Sequence, residues 1–363
     1  MKGVARVLRQ INNGFPYLEK EIGRAASRLT GGVHTTPSTY YLIFGGRCNI
    51  ACPFCTIHDK VEPSISGPDM LRLIDEAKQL SGRGFNMSLC GGEPTIYKPL
   101  YDCLEYAHRT GVNFGFTTNG LALNPKICEK LLQFDPFNIN VSLESIDPAI
   151  NDLLRPFKGG TSRVLQGISN LLQEKRRSGS RVSIIIKPTI MEQNYRSLPD
   201  LVSYFGKDSG VQINFQPYSG SGDSPFWVRD IAELAGVFSQ LARLRESGYP
   251  IIGPASIFEG FLEYFANPSA EDTTRFLDLH GSKRNCDIGM RAMGIHQDGD
   301  VYFCDFLGEP LGNIYKESLS SMYYGMITRR QRERMVYCNI ACQRTCQRPT
   351  PLLDKARAFM RMG

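Results

Sequence analysis

Three cysteines in one short loop constrain this chain more than any other feature. Cys48, Cys52 and Cys55 stand in Gly46-Arg47-Cys48-Asn49-Ile50-Ala51-Cys52-Pro53-Phe54-Cys55, a C-x3-C-x2-C spacing. A closed tetrahedral zinc site or a fully ligated [4Fe–4S] cube takes four protein ligands, so three close thiolates leave one metal position open. Structural sites are normally closed, whereas an open iron can bind a substrate or a second cofactor. The spacing therefore points to a reactive centre, with part of a zinc site as the alternative.

A second segment follows some 35 residues later: Ser88-Leu89-Cys90-Gly91-Gly92-Glu93-Pro94-Thr95, an apolar strand running into Gly-Gly-Glu-Pro. Paired glycines let a backbone come close to a ligand, and a carboxylate can receive an ammonium group. Alone, the segment is equally well explained as a turn. Together and in this order, the two motifs resemble the radical S-adenosylmethionine (SAM) enzymes. The resemblance implies that Cys48, Cys52 and Cys55 hold a [4Fe–4S] cluster whose fourth iron is chelated by the amino and carboxyl groups of SAM. It implies that Gly91, Gly92, Glu93 and Pro94 lie against the SAM amino group. Phe54 matches the family's aromatic that packs near the adenine.

The 363 residues suffice for one large core and a smaller satellite domain, and 42% hydrophobic with 21% charged residues is ordinary for a globular chain. No apolar run reaches about 18 residues, so no membrane span is predicted. Met1–Arg9 is basic but has no apolar signal core, so a cytoplasmic location is expected. In such a reducing compartment eleven cysteines argue for metal rather than disulfides. The net charge of +6 divides into +4 over residues 1–34, +7 over residues 329–363 and −5 between them. Basic ends suit an anionic lipid surface or a phosphorylated substrate; solvated helix faces are the plainer account. With one Trp and no basic strand interleaved with aromatics, no nucleic-acid partner is expected.

Between Val4 and Leu29 apolar residues recur at helical spacing, and Asn12-Asn13-Gly14 is expected to split them into two short helices. After Pro37 an alternation begins. Strands are expected at Tyr40–Phe44, Asn86–Leu89, Asn113–Phe116, Phe137–Leu143, Val182–Ile186 and Val211–Phe215. The helices between and after them fall at Pro68–Leu80, Leu100–His108, Pro125–Leu132, Ser162–Arg176, Leu198–Tyr204 and Asp230–Glu246. Strand–helix repeats imply parallel strands with right-handed crossovers. Six units are too few to close an eight-stranded barrel, so an α/β fold with a partial (β/α)6 barrel is expected, which is also the fold the resemblance implies.

Function in such barrels sits at the C-terminal strand ends, and polar residues recur there: Thr117-Thr118-Asn119-Gly120, Ser142 with Glu144, Lys187, then Gln216 and Tyr218. By resemblance, Ser142 and Glu144 contact the ribose or methionine part of SAM, and Asn119 lines the pocket. Glu144 stands where the family often has Asp. Lys187 and Tyr218 are candidate substrate contacts, although a lysine at a strand end can simply snorkel to solvent. His58 and Asp59 are further candidates. Cys90 is either a small buried hydrophobe or a thiol facing the pocket, and Cys103 and Cys128 are expected in the core.

Beyond residue 250 the alternation stops. Cys286 precedes Met293-Gly294-Ile295-His296-Gln297-Asp298-Gly299-Asp300-Val301-Tyr302-Phe303-Cys304, in which Asp298-Gly299 marks a tight hairpin. Leu311-Gly312-Asn313-Ile314 and then Cys338, Cys342 and Cys346 follow. This part resembles the SPASM/twitch extension of radical SAM enzymes, an auxiliary-cluster domain. A full SPASM domain offers seven cysteines, and this chain offers five, so one auxiliary [4Fe–4S] cluster is expected. Cys286, Cys304, Cys342 and Cys346 are its preferred ligands, and Cys338 is the spare; zinc is again the alternative. The expected domains are 1–37 (amphipathic basic helices), 38–250 (barrel), 251–350 (auxiliary-cluster domain) and 351–363 (basic tail).

The implied activity is one-electron reductive cleavage of SAM to a 5′-deoxyadenosyl radical that abstracts hydrogen from a small-molecule substrate, such as a sugar, lipid or other metabolite. The auxiliary cluster would aid net oxidation or bond formation, and a flavodoxin or ferredoxin would supply electrons. A maturase acting on a ribosomal peptide is one alternative, and an epimerase with Cys338 as hydrogen donor is another. A structural zinc or iron–sulfur protein is the non-enzymatic reading.

Overall fold

The six expected strands pair side by side in the order in which they occur. A computed structural model describes residues 2–57, 63–267, 288–304 and 308–335, excluding the side chains of residues 2–14 and of Arg28. The strands are β1 (Thr39–Ile43), β2 (Asn86–Cys90), β3 (Asn113–Thr118), β4 (Asn138–Val141) and β5 (Ser183–Ile186), then β6 (Thr189–Ile190), β7 (Val211–Ile213) and β8 (Gln216–Pro217). β1, β2, β3, β4, β5 and β7 are consecutive parallel neighbours. β6 and β8 form a short parallel pair continuing the last two strands. One row across the sheet, Leu42, Leu89, Phe116, Ile139, Ile184 and Val211, is in register and buried. Cys90 belongs to the other face and is half-buried, while Cys103 and Cys128 are fully buried on helices, as expected for core residues.

Three of the six expected crossover helices start at a side-chain cap. Ser66 Oγ accepts from Asp69 N, Asn124 from Ile127 N and Asp230 from Glu233 N, satisfying amides that have no partner within the helix. Proline at the first turn fixes φ without losing a needed donor in the helices Gly67–Ser81 and Pro125–Leu132. Five of the described helices were not expected: Pro148–Leu154, Ile257–Phe265, Ile288–Arg291, Leu319–Tyr324 and Met326–Met335.

Past residue 287, β9 (Ala292–Ile295), β10 (Asp300–Tyr302) and β11 (Gly312–Asn313) extend the same sheet. β9 runs parallel to β1, with Thr39 opposite Ala292 and Leu42 opposite Ile295. β9 and β10 make the expected hairpin, and Gly299 takes φ +88° at its turn, a conformation that favours glycine. The mixed α/β fold is thus a partial barrel whose sheet runs on into the C-terminal region.

One expectation fails. The N-terminal segment is a single helix, Lys2–Thr30, running through Asn12-Asn13-Gly14 and Pro16. Asn and Gly cost about 1 kcal/mol or less each and Pro about 3, and tertiary contacts override that. Those contacts are polar. Lys20 Nζ donates to Ser81 O at 3.0 Å and to Thr36 Oγ1, Thr35 Oγ1 donates to Lys20 O at 3.2 Å, and His34 N donates to Ser27 Oγ at 2.8 Å.

Burial, with the nearby Arg24 charge, pushes the Lys20 ammonium down to about 8 from its ordinary 10.5. Between those values the unfolded chain holds a proton that the folded chain has released, so stability rises with pH across the window. The stability of the chain relative to a Lys20→Met variant is expected to rise from pH 8 to pH 10, by up to about 3 kcal/mol. Denaturant titrations at both pH values test this; a difference independent of pH rules out the buried, neutralised lysine.

Candidate active site

The cysteine loop and the Gly-Gly-Glu-Pro loop are stitched together through their backbones. Phe44 N donates to Cys90 O (3.1 Å), Gly92 N to Gly45 O (2.7 Å) and Glu93 N to Arg47 O (2.9 Å). Glycine is required because the chains are in contact: a Cβ on Gly92 would lie 1.9 Å from Arg47 O, and one on Gly91 (φ +128°) 2.6 Å from Gly45 O. The close approach expected of these glycines toward a ligand is made, in this structure, toward the cysteine loop itself.

Glu93 is buried beneath this junction. Its Oε1 accepts from Thr95 N (3.0 Å), Thr95 Oγ1 (2.5 Å) and Thr118 Oγ1 (2.7 Å), and its Oε2 accepts from Asn119 N (2.6 Å). Burial raises its carboxyl above the usual range, and these donors pull it back down. The carboxylate ties the end of β3 to the Gly-Gly-Glu-Pro loop, and Oε2 is the oxygen with capacity for a further donor. Asn119 Nδ2 donates to Asn49 Oδ1 at 2.6 Å and lies 3.9 Å from Cys48 Sγ. Pro94 begins a single 3-10 turn capped by Glu93.

Glu144 is fully buried and paired with Arg155. Its Oε1 accepts from Arg155 Nε (2.9 Å) and Nη2 (2.6 Å), and its Oε2 accepts from Thr189 N (2.6 Å). The remaining Arg155 nitrogen, Nη1, lies 3.8 Å from Cys52 Sγ, and the guanidinium carbon lies 5.5 Å from the centre of the Phe54 ring. Glu144 therefore spends its acceptors on Arg155 and the β5–β6 backbone. The residue aimed at the cysteine loop is Arg155, which the sequence reading passed over. Its one signal is a lone charge in Leu153-Leu154-Arg155-Pro156, at the end of an unexpected helix.

An aromatic series forms one wall: Phe54 and Phe226 ring centres are 6.0 Å apart, and Phe226 and Tyr218 5.6 Å. Ser224 Oγ donates to the Tyr218 hydroxyl at 3.1 Å. Ser142 is buried, and its N donates to Thr118 O; Lys187 is half-buried where β5 ends, and its N donates to Val141 O. Cys48, Cys52, Cys55, Phe54, Gly91, Gly92, Glu93, Pro94, Asn119 and Glu144 thus converge on the C-terminal ends of β1 to β4 and on the loops that follow. Cys304 stands apart from them. It lies two residues past Tyr302, which pairs with Gly294 on a strand antiparallel to β9, so it falls toward the end where β1 begins. Cys286, Cys338, Cys342, Cys346, His58, Asp59 and the 351–363 tail lie outside the described residues.

The donor set suits a sulfur-ligated cluster. Burial raises the Cys48 and Cys52 thiols, Cys52 to about 11, so a bound metal centre would be needed to make them thiolates. N–H groups from Asn119 and Arg155 approach two of the three sulfurs, the kind of outer contact that tunes Fe–S ligands. Among the described residues, no three His, Cys, Asp or Glu side chains are gathered around a single ion. A cube, by contrast, spreads its thiolates over separate irons.

Residues 42–201 match the radical SAM superfamily, and residues 286–347 match the SPASM iron–sulfur cluster-binding domain. The chain belongs to the radical SAM proteins that carry a SPASM domain, a family of enzymes that binds SAM and a [4Fe–4S] cluster in the first domain and auxiliary clusters in the second. It is 27% identical to the Fe-coproporphyrin III synthase of Methanosarcina barkeri over 214 residues, which cover 56% of this chain and 51% of that protein. It is 30% identical to the PqqA peptide cyclase of Ruegeria pomeroyi over 121 residues, 32% of each chain. The chain thus spans about half or less of the length of these relatives. Its fold matches Streptococcus suis SuiB bound to S-adenosylmethionine with a TM-score of 0.62 at 17% identity, over 83% of this chain and 68% of that one.

Proposed function

We propose that this chain is a radical SAM enzyme that removes hydrogen from a peptide substrate at the C-terminal ends of the barrel strands. The observation that carries the reaction centre is the junction at Glu93, where one buried carboxylate and two glycines hold the cysteine loop against β2 and β3. Sequence alone puts a small metabolite first and a peptide second; similarity to a peptide cyclase reverses that order. A porphyrin-class metabolite is the second reading, favoured by the longer match to the Methanosarcina barkeri protein.

SAM and the cluster, when bound, supply reductive cleavage and a carbon-centred radical. The chain supplies position. Cys48, Cys52 and Cys55 would hold the cluster, and the Gly91–Pro94 loop would receive the SAM amino group. Glu93 fixes Thr118 and Asn119, so the Asn119 amide stays beside Cys48. Glu144 holds Arg155 against Cys52 and Phe54. Phe54, Phe226 and Tyr218 form an apolar wall that keeps water from a reactive intermediate, and Ser142, Tyr218 and Lys187 face incoming groups. Cys286, Cys304, Cys342 and Cys346 would hold one auxiliary cluster, and Cys338 is the candidate hydrogen donor.

Anaerobic reconstitution with iron and sulfide, iron counting, and an assay for 5′-deoxyadenosine under dithionite test the enzyme reading. About eight irons per chain with deoxyadenosine formed is the expected result. Bound zinc without SAM cleavage rules the reading out. For the substrate, short peptides encoded beside the gene are co-expressed with the chain and weighed. Loss of hydrogen from one of them supports the peptide reading; deoxyadenosine formation stimulated only by a porphyrin overturns it.

A further inference from the structure

The helix Lys2–Thr30 packs against the barrel with the opposite of the usual polarity. Its buried side is polar, with Lys20, Arg24 and Ser27 all under 10% exposed. Its outward side is apolar: Phe15 (64% exposed), Leu18 (47%), Ile22 (63%) and Leu29 (88%), with the exposed Ala25 completing the stripe. A surface helix ordinarily does the reverse. In sequence the same four-and-three spacing continues back through Ile11, Leu8 and Val4.

The apolar surface does not stop at this helix. Tyr324, Met326 and Ile327 are exposed at the start of the helix Met326–Met335. A cavity of about 860 Å³ joins the two regions, lined by Phe15, Pro16, Val33 and Tyr324 and by the charged residues Glu19, Lys20 and Arg83. Charge adds to this face through Arg83, Arg329 and Arg330, which are exposed, while Lys20 and Arg24 lie on the buried side. Residues 1–34 carry +4, and Met326–Met335 carries Arg329, Arg330, Arg332 and Arg334 against Glu333. Among the described residues no helix is long and apolar enough to cross a membrane.

We propose that this face docks on an anionic phospholipid bilayer, the Phe15–Leu29 stripe entering the acyl boundary while the basic residues meet the headgroups. An apolar stripe bordered by arginines binds an interface by the sum of these two terms. A second copy of the chain fits less well. The patch spreads over two helices rather than one narrow seam, and Glu21, which flanks the stripe, is already paired with Arg24 and Arg291. The face adjoins the segments that enter β1 and β2, so docking leaves the cysteine loop, at the other strand ends, open to the aqueous side.

The test is sedimentation of the full chain with vesicles of phosphatidylcholine alone or mixed with phosphatidylglycerol, at low and high salt. Binding to the anionic vesicles, weakened by salt, is expected. Ile22→Glu and, separately, the pair Arg329→Glu and Arg330→Glu should each lower the bound fraction roughly tenfold, with melting temperature and SAM cleavage unchanged. Leu18→Glu serves if Ile22→Glu fails to fold. Equal binding to both vesicle types, or binding unaffected by these variants, overturns the proposal. So does a wild-type dimer in solution that binds no vesicle and that Ile22→Glu makes monomeric.

Discussion

Replacing Arg155 with methionine is expected to destabilise the chain by about 3–5 kcal/mol at neutral pH, because it leaves a buried carboxylate without its partner. Glu144 is fully buried, and its pair with Arg155 is bidentate on one oxygen. Burial already holds the Glu144 carboxyl above the usual range against the pull of Arg155. Without Arg155 it rises further. An acid whose folded value lies above its unfolded one binds more protons when folded, so stability is lost as pH rises from the ordinary carboxylate range upward. The variant should therefore lie closer to the native chain at pH 5 than at pH 8. Adding Glu144→Gln should restore part of the loss. Denaturant midpoints of the three chains at the two pH values decide it; equal destabilisation at both would mean that lost packing, and not an unpaired charge, sets the effect.

The second large effect is expected at Gly92. A methyl group there meets Arg47 O at 1.9 Å, Arg47 C at 2.5 Å and Arg47 N at 2.9 Å, all backbone, so no rotamer change relieves it. The loops must separate, and the hydrogen bonds Gly92 N to Gly45 O and Glu93 N to Arg47 O break with them. Gly92→Ala should fold, yet retain after reconstitution less than half the iron lost by a Cys48/Cys52/Cys55→Ala variant, and form deoxyadenosine at least 100-fold more slowly, about 2.7 kcal/mol of barrier. Gly236→Ala is the matched control. Gly236 lies within the helix Ile231–Glu246 with open space at its Cβ, so it should gain about 0.5–1 kcal/mol. Full iron loading and unimpaired SAM cleavage in Gly92→Ala would show that the junction is not what places the cysteine loop.

The barrel was legible because each strand is a short, largely apolar run followed by a stretch of helical spacing, two local signals that agree. Every expected crossover helix lies within two or three residues of its observed ends. The cysteine loop and the glycines were legible because their chemistry is contiguous in sequence. What escaped was long-range. Arg155 reaches Glu144 eleven residues back and Cys52 over a hundred residues away, and no periodicity announces either contact. The N-terminal helix was misread for a related reason. Asn12-Asn13-Gly14 looks like a break when propensity is read locally, but Lys20, Ser27 and Thr35 anchor the following turns to the strand ends. The apolar spacing was visible, whereas the direction in which it faces depends on those polar anchors.

Pairing between β1 and β9 joins Thr39 to Ala292, residues some 250 positions apart. A chain emerging from the ribosome can build β1 through β7 as it appears, at about 5–20 residues per second. For the roughly 4–16 seconds that the chain from Ile213 to Ile295 then takes to appear, the free edge of β1 shows unpaired amides and carbonyls. It does so on a strand whose Tyr40 and Leu42 are wholly buried when folding is complete, and such an edge invites pairing with other chains. The C-terminal region is therefore also the cover that shields nascent protein from aggregation. Stop codons placed before residue 292 should give insoluble product even though the whole six-stranded unit has been translated.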